Sequence, residues 1–416
     1  MERRDFLKLA GLTGLAAVGH SGLLFAQDSL DPGGPLYLIV HASGGWDPTS
    51  LCDPKGTDDP MAPDRMNTYL KDDIGSPSES SPIRWAPFGA NGEFFERHYK
   101  KLLVINGLDT ATNSHDAGPR HIHSGQLTEG HPAFAALVAA TYARDKPMGF
   151  ITNGGYDLTQ GIVARTRVGN IEAIERIARP NALGEGSFHT EATYGRIEAA
   201  RAARLERLKA AQTLPKLDRS VDALVRARTS DSELKALTEF LPDLNGFATP
   251  IGRQAALAMA AWRAGLCVSA NLTTGGFDTH GNHDATHATA LARLTNGLNE
   301  IWAEAERLQI DDRIVVVVGS DFGRTPGYNE GMGKDHWSIT SMLLMGAGIR
   351  GNRVIGATTD RHRALTLDPA TLQPREGGVT LSPAHVQLAL RKLAGVGQGE
   401  FAARFPVPGP ALDLLG

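Results

Sequence analysis

Short runs of consecutive apolar residues punctuate the chain at 36–41, 101–106, 147–152, 266–272, 313–318 and 341–345. Runs of this length without polar alternation are expected of strands buried on both faces, as in a parallel sheet covered by helices. Segments between them, 132–143, 253–264, 284–308 and 382–393, carry apolar residues at helical spacing. Strand and helix alternate, and the pattern predicts an α/β fold with a parallel sheet and helices on both faces. Residues 190–240, rich in Ala, Arg, Glu and Leu, read as a helical insertion or cap. With no internal repeat and no evident linker, residues 27–416 read as a single elaborated domain.

The first 26 residues follow another pattern. Glu2-Arg3-Arg4-Asp5-Phe6-Leu7-Lys8 precedes a mild apolar stretch rich in Gly and Ala, which reads as a twin-arginine export signal. His20 and Ser21 interrupt that stretch, and no other run approaches the ~20 apolar residues of a membrane span. The expectation is a periplasmic or secreted protein, carried by the twin-arginine translocase during export, with no stable membrane span. A formal net charge of −4 offers no basic field for nucleic acid. With 41% hydrophobic and 21% charged residues, the chain is neither disordered nor a multi-span membrane protein. Cys52 and Cys267 are the only cysteines, enough for one disulfide at most and too few for a thiolate metal cage. The loop at 42–47 is not G-x-G-x-x-G, which argues against a nicotinamide enzyme.

What composition does not explain is the placement of the 14 histidines. Polar clusters follow the predicted strands, where open α/β sheets bind ligands. They are Gly44-Gly45-Trp46-Asp47, then Ser114-His115-Asp116 with His121 and His123, then Asp278-Thr279-His280-Gly281-Asn282-His283. The last is Asp321-Phe322-Gly323-Arg324, with Asp335-His336 beyond it. Carboxylates and imidazoles on convergent loops suit a divalent cation, zinc first, with manganese or calcium as alternatives. Asp47, Asp278, His280, His283, Asp321 and His336 are the candidate ligands. His287 reads as shaping a helix start, and His121, His123 and His131 as outer-sphere or structural residues.

The segments GGWD, SHDAGPRHIHSG, GFDTHGNH, SDFGRTP and GKDHW, in this order, resemble a bacterial twin-arginine-exported family of unknown function related to the alkaline phosphatase/sulfatase superfamily. The resemblance covers nearly all of the chain after the signal. It implies an alkaline-phosphatase-like three-layer α/β/α sandwich with a mostly parallel central sheet and a helical insertion. It implies metal binding by Asp47, Asp278, Asp321 and His336, and a nucleophile near Ser114 or His115 at the start of a helix. Arg324 either clamps an oxyanion or holds its loop by a salt bridge. The chain departs from the superfamily pattern at Asn282, flanked by His280 and His283 where a histidine is expected, and at Phe322 beside Asp321. Two functions follow. One is an exported metal-dependent hydrolase of phosphate or sulfate esters, small or polysaccharide-linked. The other is a non-catalytic binding or assembly protein on the same scaffold.

Overall fold

The computed structural model describes residues 33–168, 180–183, 186–211 and 231–416; the signal expected at 1–26 and part of the insertion lie outside them. Strand β1, Leu36–Ala42, is buried at every position because it has neighbours on both edges and layers on both faces. Leu36, Leu38, Val40 and Ala42 enter one core cluster, and Tyr37 and Ile39 the other. The period of two thus splits one apolar run between two cores.

Around it stand β2 (Leu102–Asp109), β3 (Phe150–Thr152), β4 (Arg165–Arg167), β5 (Ser269–Thr274) and β6 (Ile314–Ser320). After a two-residue ribbon, β7 (Gly323–Arg324) with β8 (His336–Trp337), come β9 (Ile339–Gly346) and β10 (Arg353–Ile355). The eight-stranded sheet runs β10-β2-β9-β6-β1-β5-β3-β4. Its pairings are parallel except those of β9, which runs against both β2 and β6. The run at 341–345 therefore forms a strand as expected, in the opposite direction. The run at 266–272 shifts to Ser269–Thr274, because the Leu266 N–H bonds back to the Ala261 carbonyl and closes the preceding helix.

One face of the sheet is covered by α1 (Asn91–His98), α6 (Pro250–Arg263) and α7 (His283–Arg307). The other is covered by α2 (Ala117–Ser124), α3 (Phe134–Tyr142) and α8 (Pro383–Leu393). The result is a three-layer α/β/α sandwich on a mostly parallel sheet. In the segment expected to be an insertion, α4 (Glu191–Ala210) has no buried residue among those described, whereas α5 (Asp231–Phe240) packs on α6 through Leu237. Among the described residues no helix is long and apolar enough to cross a membrane. Cys52 and Cys267 are both buried and free.

Buried imidazoles set the acid limit of this fold. Burial pushes His98 down to about 4 and drives His123 and His287 well below the ordinary imidazole range. All three stay neutral in the folded chain but take protons near pH ~6.5 once unfolded. The unfolded state then binds more protons, so stability is full above pH ~6.5 and is lost as pH falls toward the folded values. The loss is up to ~1.4 kcal/mol per pH unit for each imidazole. The melting temperature is expected to drop steadily between pH ~6.5 and ~5; a flat profile there would contradict this assignment.

Candidate metal centre

Strands β1, β2, β3, β5 and β6 point their carboxyl ends to one edge, and antiparallel β9 begins there. The loops after β1, β2, β5 and β6, and the turn before β9, meet at this edge. At Gly44 (φ +118) a Cβ would lie 2.5 Å from the Asp278 backbone nitrogen, so only glycine lets the first and third loops touch.

Asp278 is the shared acceptor. Its Oδ1 lies 3.0 Å from His280 Nε2 and 3.3 Å from His336 Nε2, and these two nitrogens are 3.0 Å apart. Its Oδ2 lies 3.6 Å from His115 Nε2. Each imidazole is pinned from behind. His115 Nδ1 is 2.6 Å from Asp321 Oδ2, His280 Nδ1 is 2.8 Å from Asp335 Oδ1, and His336 Nδ1 is 2.9 Å from the Asn113 carbonyl. Carboxylates and carbonyls accept, so each Nδ1–H is directed outward and each ring turns its Nε2 toward Asp278.

Lone pairs 3.0 Å apart beside a carboxylate repel unless a proton or a cation lies among them. The donors fit a cation. Ligands held ~2.0–2.1 Å from a tetrahedral ion stand about 3.3 Å from one another, close to the separations around Asp278. An oxygen acceptor behind each ligating imidazole is the usual outer support of such ions. Among the described residues, His115, Asp278 and His336 place one donor atom each within 4.8 Å of one another.

Asp321 works from behind. It is 2% exposed, accepts the Gly44 N–H at 3.2 Å, and has His41 Nε2 3.0 Å from its Oδ1. Burial pushes its carboxyl up, but His41 and His115 outweigh burial and hold it below the usual range. His41 Nδ1 in turn meets His123 Nε2 at 2.9 Å. Phe322, fully buried, forms the floor, its ring centroid 4.4 Å from that of His336 and 4.9 Å from that of His115. The aromatic ring beside Asp321 is thus part of the packing under the imidazoles.

Several expected site residues stand elsewhere. Asp47 and His283 are fully buried in a second cluster. There Lys334 Nζ lies 2.6 Å from Asp47 Oδ2, and His283 Nε2 lies 3.2 Å from the same oxygen. The cation beside Asp47 is therefore an ammonium, and both residues stand outside the Asp278 cluster. Burial pushes the Asp47 carboxyl up, yet Lys334 and His283 more than compensate and hold it well below the carboxylate range. Arg324 has no exposed surface. Its N–H groups go to the carbonyls of Gly44, Gly45 and Lys334 and to Asp278 Oδ1 at 2.7 Å. It ties the loops together, has no exposed surface and does not line the adjoining cleft. The Ser114 hydroxyl accepts the Asp116 N–H at 3.3 Å, and Ser114 is not part of the adjoining cleft wall.

That cleft, about 550 Å³, is lined by His41, Ser43, Gly44, His115, Asp116, Tyr156, Thr273, Gly275, Gly276, Asp278 and Asp321 among others. Neither lysine nor arginine lines it. Sequence reading missed His41, which hides inside an apolar strand run, and Lys334, which stands in a Gly-rich loop like any solvated lysine.

Fold and edge cluster together describe a three-layer α/β/α protein with a histidine-rich candidate metal centre at the carboxyl end of its sheet. The chain belongs to the DUF1501 family of proteins of unknown function, whose profile matches residues 154–373. No curated protein matches it in sequence. Among solved structures it is distantly similar to the lipoteichoic acid synthase LtaP from Listeria monocytogenes, at 12% identity and TM-score 0.38, over 93% of this chain and 77% of that one. It is also similar to a putative sulfatase from Bacteroides thetaiotaomicron, at 9% identity and TM-score 0.36, over 91% and 74%. The alkaline phosphatase TAB5 is similar at 10% identity and TM-score 0.32, over 77% and 94%.

Proposed function

We propose that the protein is a metal-dependent hydrolase of phosphate or sulfate esters, exported through the twin-arginine pathway. One observation carries the reading: three imidazoles, each fixed through Nδ1, aim their Nε2 atoms at Asp278 beside an open cleft. His115, Asp278 and His336 would hold a divalent ion, with His280 beside Asp278 and His336. When bound, the ion supplies Lewis-acid polarisation of an ester oxygen. Asp321, Asp335 and the Asn113 carbonyl orient the ligands. Ser43 offers its hydroxyl to substrate oxygens, and Gly275 and Gly276 leave the wall open for its approach.

Protein supplied with zinc, manganese or calcium is expected to turn over an aryl phosphate, an aryl phosphodiester or an aryl sulfate. Turnover should vanish on chelation and return when metal is restored. Fully metallated protein that turns over nothing across this panel would sink the hydrolase reading. It would favour a non-catalytic binding or assembly protein, which the engagement of Arg324 and the position of Ser114 outside the cleft wall support. Export rests on the Arg3-Arg4-Asp5-Phe6-Leu7-Lys8 segment and is read by sequencing the N-terminus of protein recovered from the periplasm or medium.

A further inference from the structure

Lys334 contacts Asp47 in a pocket that has the composition of a cation site. Around its Nζ stand Asp47 Oδ2 at 2.6 Å, Asn67 Oδ1 at 2.9 Å and Thr49 Oγ1 at 3.4 Å. Asp47, Asn67, His283 and Lys334 have no exposed surface, and Thr49 has 1%. The other Asp47 oxygen accepts the N–H and hydroxyl of Thr49, at 2.8 and 2.7 Å. His283 supplies an independent sign. Its Nδ1 is 2.7 Å from Thr279 Oγ1, and its Nε2 lies 3.2 Å from Asp47 Oδ2. Here it belongs to a group of oxygen and nitrogen donors that would suit a small cation.

We infer that the Lys334 ammonium is the resident cation of this pocket. It fills the place a metal ion would take between Asp47, Asn67, Thr49 and His283, so that the protein holds a single ion, at Asp278, and not a pair. An ammonium is a compact point charge with three donors. It neutralises the buried carboxylate without requiring an ion from solution, and a metal cannot enter while it is there. The inference bears on the metal-dependent reading proposed above. Its test compares variants, so the two can fail separately.

The Lys334→Ala protein leaves the donors in place and removes the ammonium. Each protein is supplied with zinc or manganese, desalted, and its ions counted by elemental mass spectrometry, with near-ultraviolet circular dichroism as the check on folding. Lys334→Ala is expected to hold one equivalent more than the unaltered protein, and Asp47→Asn added to it should abolish that gain. A folded Lys334→Ala protein with no gain, or unaltered protein with two equivalents, would overturn the inference. Should Lys334→Ala not fold, the neutral pair Asp47→Asn/Lys334→Met decides. Its ion count should equal that of the unaltered protein, and loss of an equivalent would show that Asp47 binds metal after all. Unaltered protein without any ion would remove the Asp278 reading. The Lys334 assignment would still stand on the gain in Lys334→Ala.

Discussion

Asp278→Asn is expected to weaken ion binding by about 100-fold or more, and turnover should fall with it. Asp278 is the one group that all three imidazoles face, through Oδ1 for His280 and His336 and through Oδ2 for His115. An amide at this position keeps the shape but loses the charge and turns one acceptor into a donor directed at the imidazole nitrogens. Asp335→Asn should have a smaller effect, about 10–100-fold, because Asp335 only fixes the ring of His280. Isothermal titration with zinc or manganese measures both. Equal affinities in the two variants and the unaltered protein would mean that the cluster is held together by imidazolium protons instead of an ion.

Lys334→Met is expected to destabilise the protein by about 3–5 kcal/mol, the usual cost of removing one partner of a buried ion pair. Methionine matches the stem of lysine but leaves the Asp47 carboxylate, with no exposed surface, without its ammonium. Asp47→Asn in the same chain removes the stranded charge and should recover most of the loss, since neutral replacement of a whole buried pair is often tolerated. Chemical denaturation of the two single variants and the double variant reads this coupling directly. Additive losses would show that Lys334 and Asp47 do not act as a pair.

Much of this architecture is legible in the sequence, for a definite physical reason. Strands buried on both faces must be apolar throughout, so β1 and β6 announce themselves as unbroken runs. Loops that follow such strands are where polar clusters gain meaning, and His115, Asp278, His280 and His336 were found there. Strand direction is not written in an apolar run, and so β9 reads like its parallel neighbours. Burial of a charged side chain is invisible in one dimension. Lys334 carries no local sign of being enclosed, because its partners Asp47 and Asn67 lie more than 250 residues away. His41 sits on β1 between Val40 and Ala42, where alternation alone would have read it as core. It is the approach of His123 and Asp321 that makes it part of the site's support. Ser114 and His115 differ by one position, and the backbone before α2 decides which faces Asp278.

The central claim is that pinned imidazoles and Asp278 hold one divalent ion. X-ray absorption of protein loaded with a single equivalent of zinc examines it most directly. The expected spectrum contains imidazole scattering from several rings together with a carboxylate oxygen, all near ~2.0–2.1 Å. An ion surrounded only by oxygen, or zinc that washes off at one equivalent, would contradict it.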